Sequence, residues 1–255
     1  MWASNKVIMI GMIKKMSRTI LPASVRYSPI IAKLKVNLLG HNWIYDSDYY
    51  GGTVEGPAVK SAGTIANSIL HDLKAKTIMD VGCGTGALLE ALRNRGCEVF
   101  GLEYSESALQ YCHSRQLSVA KFDLERDVLN DKRIFDVVVS MEVAEHLPER
   151  VANRYVDLLT RYSQTIVFTA AAPGQGGADH VNEQPSSYWI SKFQQRAFKH
   201  DEELSQRLRE SWETTGDVAH WYYKNLLIFR KEQKEEPQMS KLESKANSLT
   251  MDTVI

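Results

Sequence analysis

The sequence contains few cysteines. Its 255 residues include only Cys83, Cys97 and Cys112, and no two of them form a CxxC pair. The odd number and the wide spacing argue against a disulfide framework and against a thiolate zinc site. This usage is typical of a reducing compartment, so we predict a cytoplasmic location.

An excess of charge of either sign is also absent. The 31 Lys and Arg residues balance 31 Asp and Glu residues, which gives a formal net charge of zero at pH 7. Most proteins that bind duplex nucleic acid carry a strongly basic field. The composition therefore does not favour a nucleic-acid partner.

The sequence near the N-terminus lacks an apolar run long enough to cross a bilayer. The run over residues 7–13 is far shorter than the roughly 20 residues that a span requires, and lysines follow it. Residues 1–45 are basic, with no acidic residue before Asp46. We expect a basic arm here, which could be a disordered leader, a transit peptide, a peripheral membrane contact or a contact for an acidic substrate.

Short apolar runs alternate with segments of helical periodicity. The predicted strands cover residues 77–81, 98–102, 119–122, 135–140, 165–169 and 225–230. The predicted helices cover residues 56–73, 87–95, 105–115, 150–162, 185–196 and 202–212. Because such alternation produces a parallel sheet covered on both faces, we predict a doubly wound, Rossmann-like α/β fold with ligands at the carboxyl ends of the strands.

The pattern predicts one folded domain over residues 46–230. A chain with 44% hydrophobic residues can bury one substantial core at this length. Residues 231–255 contain no aromatic side chain and mix charges with Ser, Asn and Gln. We expect that segment to be a disordered polar tail.

A glycine-rich turn follows the first predicted strand. The run IMDVGCGTGALL, residues 78–89, lets the backbone bend sharply and approach a ligand at a helix N-terminus. Its GxGxG spacing differs from the GxGxxG of dinucleotide enzymes, because Ala87 stands at the position of their third glycine. Asp80 would lie badly against a pyrophosphate but would suit a cofactor that bears an amino group and a sulfonium.

Acidic residues mark the ends of the next two predicted strands. Glu103 ends the second, where a carboxylate can accept hydrogen bonds from both hydroxyls of a ribose. Asp123 follows the third beside Phe122, a pair that could bind an adenine amino group and cover the ring. Three such features in order predict an S-adenosylmethionine site.

These motifs resemble those of class I S-adenosylmethionine-dependent methyltransferases, including enzymes of the ubiquinone pathway. The matching segments are IMDVGCGTG, FGLEYS, KFDLE and FDVVVSMEVAEHLPE. The resemblance implies that Asp80 lies near the methionine portion of the cofactor and that the Met141–Glu142 segment passes beneath it. It also implies that NLLIFRK is an antiparallel seventh strand in an otherwise parallel sheet. The predicted cofactor-binding residues are Asp80, Gly82, Cys83, Gly84, Thr85, Gly86, Glu103, Tyr104, Phe122, Asp123, Met141 and Glu142.

Two histidines are candidate catalytic bases. Methyl transfer is an in-line displacement, and a hydroxyl acceptor must also lose its proton. A neutral imidazole can take that proton near pH 7, so we assign the role to His180 or His146, although each could instead be a structural histidine. His180 lies in the GGADH loop, where two glycines suggest a mobile lid.

The segment EVAEHLP offers a metal-binding alternative. Glu142, Glu145 and His146 would share one face if the segment were helical, and with His180 they could bind Mg²⁺, Mn²⁺ or Zn²⁺. The four residues resemble the metal site of small-RNA 3′-end 2′-O-methyltransferases, and ExxEH alone resembles that of ubiquinone-pathway O-methyltransferases. Many family members carry a similar EHLP stretch without a metal, so a divalent cation stays an open alternative.

Aromatic residues flank both candidate sites. The resemblance implies that Tyr45, Tyr49 and Tyr50 close over the cofactor and acceptor, but they could equally anchor the arm to the core. Tyr188 and Trp189 could line an acceptor pocket, although an amphipathic helix would normally bury Trp189.

The predicted function is O-methylation of a small-molecule or glycan hydroxyl. Two alternatives stay open. One is metal-dependent 2′-O-methylation of an RNA 3′ end, and the other is a non-catalytic protein that binds the cofactor and regulates a partner.

Overall fold

The computed structural model describes residues 45–232. The predicted basic arm up to residue 44 and the predicted tail from residue 233 lie outside the described residues. Within the described range, no helix combines the length and the hydropathy needed to span a membrane.

The described residues form a seven-stranded sheet. Its strands are β1 (Thr77–Val81), β2 (Glu98–Glu103), β3 (Val119–Lys121), β4 (Val137–Met141), β5 (Thr165–Thr169), β6 (Phe198–His200) and β7 (Leu227–Lys231). They lie in the order β3-β2-β1-β4-β5-β7-β6. The first five strands are parallel, and β7 runs antiparallel to both β5 and β6. The predicted doubly wound sheet with an antiparallel last strand is therefore confirmed.

Helices connect and cover the strands. They are α1 (Glu55–Leu73), α2 (Ala87–Arg93), α3 (Glu106–Ser114), α4 (Ala152–Tyr162), α5 (Ser186–Gln194), α6 (Glu202–Thr215) and α7 (His220–Asn225). A helical turn, Ser47–Tyr49, and a π-helix, Tyr50–Val54, lead into α1. Single 3₁₀ turns, Ala144–His146 and Glu149–Val151, precede α4.

Polar side chains explain where two of these helices begin. The hydroxyl of Ser105 accepts the N–H of Ala108 at the start of α3. The carboxylate of Asp201 accepts the N–H of Leu204 at the start of α6. Each bond satisfies a backbone donor that the helix itself leaves unpaired.

Apolar side chains bury both faces of the sheet. One cluster, which includes Phe168 and Trp189, packs against α4 and α5. The other, which includes Ile69, Leu92 and Trp212, packs against α1, α2 and α6. Trp189 is only 1% exposed, so it belongs to the core and not to an acceptor pocket. The carboxyl ends of the parallel strands lie beyond these two packed layers.

Candidate active site

A cavity of about 1120 Å³ lies at the carboxyl ends of β1, β2 and β4. Strand β1 pairs with β2 on one side and with β4 on the other, so this is the point where the strand order reverses. Ligand pockets usually measure about 300–1,000 Å³. The cavity is therefore large enough for a cofactor together with a second molecule.

The glycine turn forms one wall of this cavity. Gly82, Gly84 and Gly86 all have positive φ, at 77°, 54° and 78°. A Cβ at Gly82 would come within 2.5 Å of the Val143 side chain, and one at Gly86 within 2.5 Å of Leu117. A Cβ at Gly84 would meet no atom closer than 4.0 Å. The outer two glycines are thus required by packing, whereas Gly84 leaves open space beside the backbone.

Glu103 holds the glycine turn in place. Its carboxylate accepts the backbone N–H of Gly84 at 2.9 Å and that of Ser105 at 2.7 Å. Burial raises the pKa of Glu103, and these hydrogen bonds oppose the rise. Because each carboxylate oxygen can accept more than one hydrogen bond, acceptor capacity remains for a ribose.

Two buried polar groups fit a cationic, polar cofactor. Asp80 is 5% exposed, and burial together with the charge of Glu103 raises its pKa to about 7. A positive group beside Asp80 would favour the ionised carboxylate. The buried hydroxyl of Thr85 has no hydrogen-bond partner and lines the same cavity. Unpaired buried polar atoms of this kind are rare without a ligand or water.

The structure brings the predicted cofactor-binding residues together, with one exception. Eleven of them line the cavity, namely Asp80, Gly82, Cys83, Gly84, Thr85, Glu103, Tyr104, Phe122, Asp123, Met141 and Glu142. Gly86 does not, because it packs against Leu117 and Cys112 behind the turn. Its part in the site is to allow the bend of the backbone.

Three side chains that line the cavity cluster together. Glu145, His146 and His180 place one ligand atom each within 4.8 Å of one another. Glu145 is fully buried, and neither carboxylate oxygen has a hydrogen-bond partner. Burial and the nearby Glu142 raise the pKa of Glu145 well above its usual value. The cluster therefore presents an unsatisfied acid beside two imidazoles.

Tyr45 connects the cluster to the segment before α1. Its hydroxyl lies 3.0 Å from Nδ1 of His146 and 3.2 Å from the carboxylate of Asp179. The rings of His146 and His180 meet edge to face, 4.9 Å apart. Tyr45, Tyr49 and Tyr50 all line the cavity.

The segment EVAEHLP does not form the α-helix that would place Glu142, Glu145 and His146 on one face. Glu142 has φ of 55°, and only residues 144–146 form a 3₁₀ turn, so the three side chains do not share an α-helical stripe. The carboxylate of Glu142 accepts hydrogen bonds from the amides of Gln175, at 2.9 Å, and Asn225, at 3.2 Å. Glu142 is not part of the three-residue cluster.

Several residues of the site were not identified from the sequence. Gln175 lines the cavity from the loop after β5, and His220, Trp221 and Tyr222 line it from α7. Helix α7 has only six residues and none is fully buried, so it is too short for periodicity to have revealed it.

Comparison with known proteins agrees with the motif analysis. Residues 79–161 match a family model described as "Methyltransferase domain". The "Ubiquinone biosynthesis O-methyltransferase" of Nitrosomonas europaea is 35% identical over 89 residues, which cover 32% of this chain and 38% of the relative. The protein of the same name from Coxiella burnetii is 38% identical over 82 residues, which cover 30% and 35%. The chain thus spans only about a third of the length of these curated relatives.

Solved structures share the fold at low identity. Magnesium protoporphyrin IX methyltransferase from Synechocystis, solved with bound S-adenosylhomocysteine, is 16% identical with a TM-score of 0.53, over 80% of this chain and 99% of that one. CalS10 from Micromonospora echinaspora, an amino pentose methyltransferase, is 16% identical with a TM-score of 0.53, over 74% and 97%. The family-model match, the fold and the glycine turn agree: residues 79–161 match a methyltransferase domain, and the described residues share the fold of solved methyltransferases.

Proposed function

We propose that this protein transfers a methyl group from S-adenosylmethionine to a hydroxyl group of a small molecule or glycan. The observation that carries the proposal is that two sets of side chains line one cavity. The glycine turn, Asp80 and Glu103 form one set, which we call the cofactor end, and Glu145, His146 and His180 form the other, which we call the acceptor end.

The cofactor end fits S-adenosylmethionine by charge and shape. Glu103 would accept the ribose hydroxyls, Asp80 would lie near the positively charged methionine portion, and Phe122 with Asp123 would contact the adenine. Open space at Gly84 would allow the ligand to approach the backbone closely. When bound, the cofactor would supply the methyl group from its sulfonium.

The acceptor end offers groups that can remove a proton. His180 or His146 would take the hydroxyl proton while the oxygen is held in line with the methyl group. Both side chains line the cavity, and both are fixed by hydrogen bonds to neighbouring residues. Tyr45 and Tyr49, which also line this region, would exclude water from the reacting atoms.

A divalent cation is a second candidate occupant of the acceptor end. The unpartnered carboxylate of Glu145 beside two imidazoles fits the donor set of Mg²⁺, Mn²⁺ or Zn²⁺. Glu142 would have to leave its two amide partners to become a fourth ligand. Such a cation would lower the pKa of a bound hydroxyl. The hydroxyl could then lose its proton without a histidine acting as general base.

The relatives support small acceptors. Those matched in sequence are named for ubiquinone biosynthesis O-methylation, and a structural neighbour is titled an amino pentose methyltransferase. No specific observation favours the other two functions considered, methylation of an RNA 3′ end and regulation without chemistry.

The proposal is tested in two steps. Calorimetry with S-adenosylmethionine should show binding, and radiolabelled cofactor should then label hydroxyl compounds in a panel of phenols, sugars and amino sugars. Activity that survives a chelator supports a histidine base, whereas activity that is lost and then restored by added metal supports the cation. Absence of cofactor binding, or transfer only to amines, would overturn the proposal.

A further inference from the structure

The loop between β5 and α5 contains a glutamate that contacts His180. The carboxylate of Glu183 lies 2.8 Å from Nδ1 of His180 and accepts the backbone N–H groups of Gly174, at 2.8 Å, and Gly176, at 2.7 Å. The side chains of Glu183 and His180 are only 19% and 12% exposed. One carboxylate therefore fixes both the fold of this loop and the orientation of the imidazole.

The hydrogen bond to Glu183 determines which ring nitrogen of His180 carries a proton. Because the same carboxylate accepts the two backbone N–H groups of Gly174 and Gly176, its ionised form is favoured. An ionised carboxylate can only accept hydrogen bonds, so its partner atom Nδ1 must be the donor. A neutral His180 then keeps its lone pair on Nε2.

Gly177 lies against the Nε2 side of the His180 ring. A Cβ at Gly177 would overlap Nε2 and come within 2.5 Å of Cε1 of His180. Gly174 and Gly176 have positive φ, but Gly177 does not, so its backbone conformation is open to any residue. Glycine is required here because a side chain would collide with the His180 ring, and not because of the backbone conformation. Gly177 and His180 both line the cavity.

We propose that Glu183 and Gly177 are positioning residues for His180. Glu183 holds the tautomer with hydrogen on Nδ1, and Gly177 keeps the Nε2 lone pair accessible from the cavity. This inference rests on the proposed function, because it gives His180 a task at the acceptor end. It holds for either task considered there, since a general base and a metal ligand both use that lone pair.

Nuclear magnetic resonance of the full chain labelled with ¹⁵N-histidine tests the tautomer without any acceptor. Two-bond ¹H–¹⁵N correlations, assigned through His180→Asn, should show the neutral His180 ring protonated on Nδ1. In Glu183→Gln the amide can donate to Nδ1, so the preference should shift toward a proton on Nε2. Glu203→Gln, at an exposed position on α6, should leave the spectrum unchanged. A wild-type ring protonated on Nε2 would overturn the proposal.

Chemical modification tests the access that Gly177 provides. Carbethoxylation of His180 with diethyl pyrocarbonate, followed by mass spectrometry, should slow several-fold in Gly177→Ala. His71, whose side chain is 83% exposed, is the internal reference, and Gly52→Ala is the control, since a Cβ there would meet nothing within 4 Å. Equal reactivity of His180 in Gly177→Ala and wild type would refute the role of Gly177.

Kinetics separate failure of this inference from failure of the proposed function. With an acceptor identified from the panel, both Glu183→Gln and Gly177→Ala should lower kcat about tenfold or more while calorimetry shows an unchanged Kd for S-adenosylmethionine. Wild-type protein that does not bind the cofactor would sink the proposed function. Normal cofactor binding with unchanged kcat in both variants would sink only the positioning role.

Discussion

Glu103 joins two backbone segments and faces the cavity, so its side chain affects both the shape of the site and the contacts it offers. In Glu103→Gln the amide group would face one of the two backbone N–H groups and repel it, and an acceptor for the ribose would be lost. We expect the free energy of S-adenosylmethionine binding to weaken by about 1–3 kcal/mol in calorimetry. Glu106→Gln, on the exposed surface of α3, is the matched control. Equal affinity of Glu103→Gln and wild type would remove Glu103 from the binding site.

The glycines of the turn should respond differently to the same substitution. Gly82→Ala places a methyl group against Val143, so we expect a large drop in Tm. Gly84→Ala has room for the methyl group, and only its φ of 54° opposes the change, at a cost of about 1–3 kcal/mol. We also expect its affinity for S-adenosylmethionine to fall, because Gly84 lines the cavity and the added methyl group would occupy space that the ligand needs.

Thermal unfolding and calorimetry on the two glycine variants check this contrast. A Gly84→Ala protein with wild-type cofactor affinity would show that the ligand does not approach the turn at that point. Equal losses of Tm in both variants would show that Val143 moves aside without penalty.

Gln175 connects the loop after β5 to Glu142, which follows β4, and to Asn225 at the end of α7. Gln175 donates to the carboxylate of Glu142 at 2.9 Å and accepts from Asn225 at 2.8 Å. In Gln175→Ala both hydrogen bonds are lost. Because the side chain is exposed, we expect the folded conformation of this loop to be destabilised by about 1 kcal/mol or less. Hydrogen exchange followed by mass spectrometry should show faster exchange in residues 172–181. Gln194→Ala on α5 is the control, and an unchanged loop would exclude this tie.

Sequence patterns predicted the five parallel strands. Four of them are mostly buried, and β3, which is half-buried to exposed, was found because the short run over residues 119–122 follows α3. They missed β6, since its three residues include only one buried side chain, Phe198, and depend on pairing with β7 for their extended form. The glycine turn and Glu103 could be placed because strand ends fix their positions. The contacts of Glu183 and Gln175 could not be predicted, because the loop that carries these residues has no hydrophobic periodicity. Its shape depends on hydrogen bonds from the backbone to Glu183 and from Gln175 to Glu142.

Asp80 should make the stability of the whole molecule depend on pH. Its pKa is about 7 in the folded chain, raised by burial and by Glu103, against 3.8 as the reference value for an unfolded chain. Between these values the unfolded chain has released the proton that folded Asp80 keeps, so stability falls as pH rises from about 4 to 7 and then levels off. The total is on the order of a few kcal/mol.

Asp80→Asn removes this titration while keeping the size of the side chain. We expect the Tm of wild type, measured against that of Asp80→Asn, to decline as pH rises from 4 to 7. Parallel curves for the two proteins across this range would mean that Asp80 ionises normally in the folded chain.

A crystal structure of the full chain with S-adenosylhomocysteine would examine the cavity itself. We expect the nucleoside to lie against the glycine turn, with its ribose hydroxyls within hydrogen-bond distance of Glu103 and its adenine beside Phe122 and Asp123. An empty cavity at saturating ligand, or a nucleoside bound elsewhere on the domain, would contradict the proposed methyltransferase.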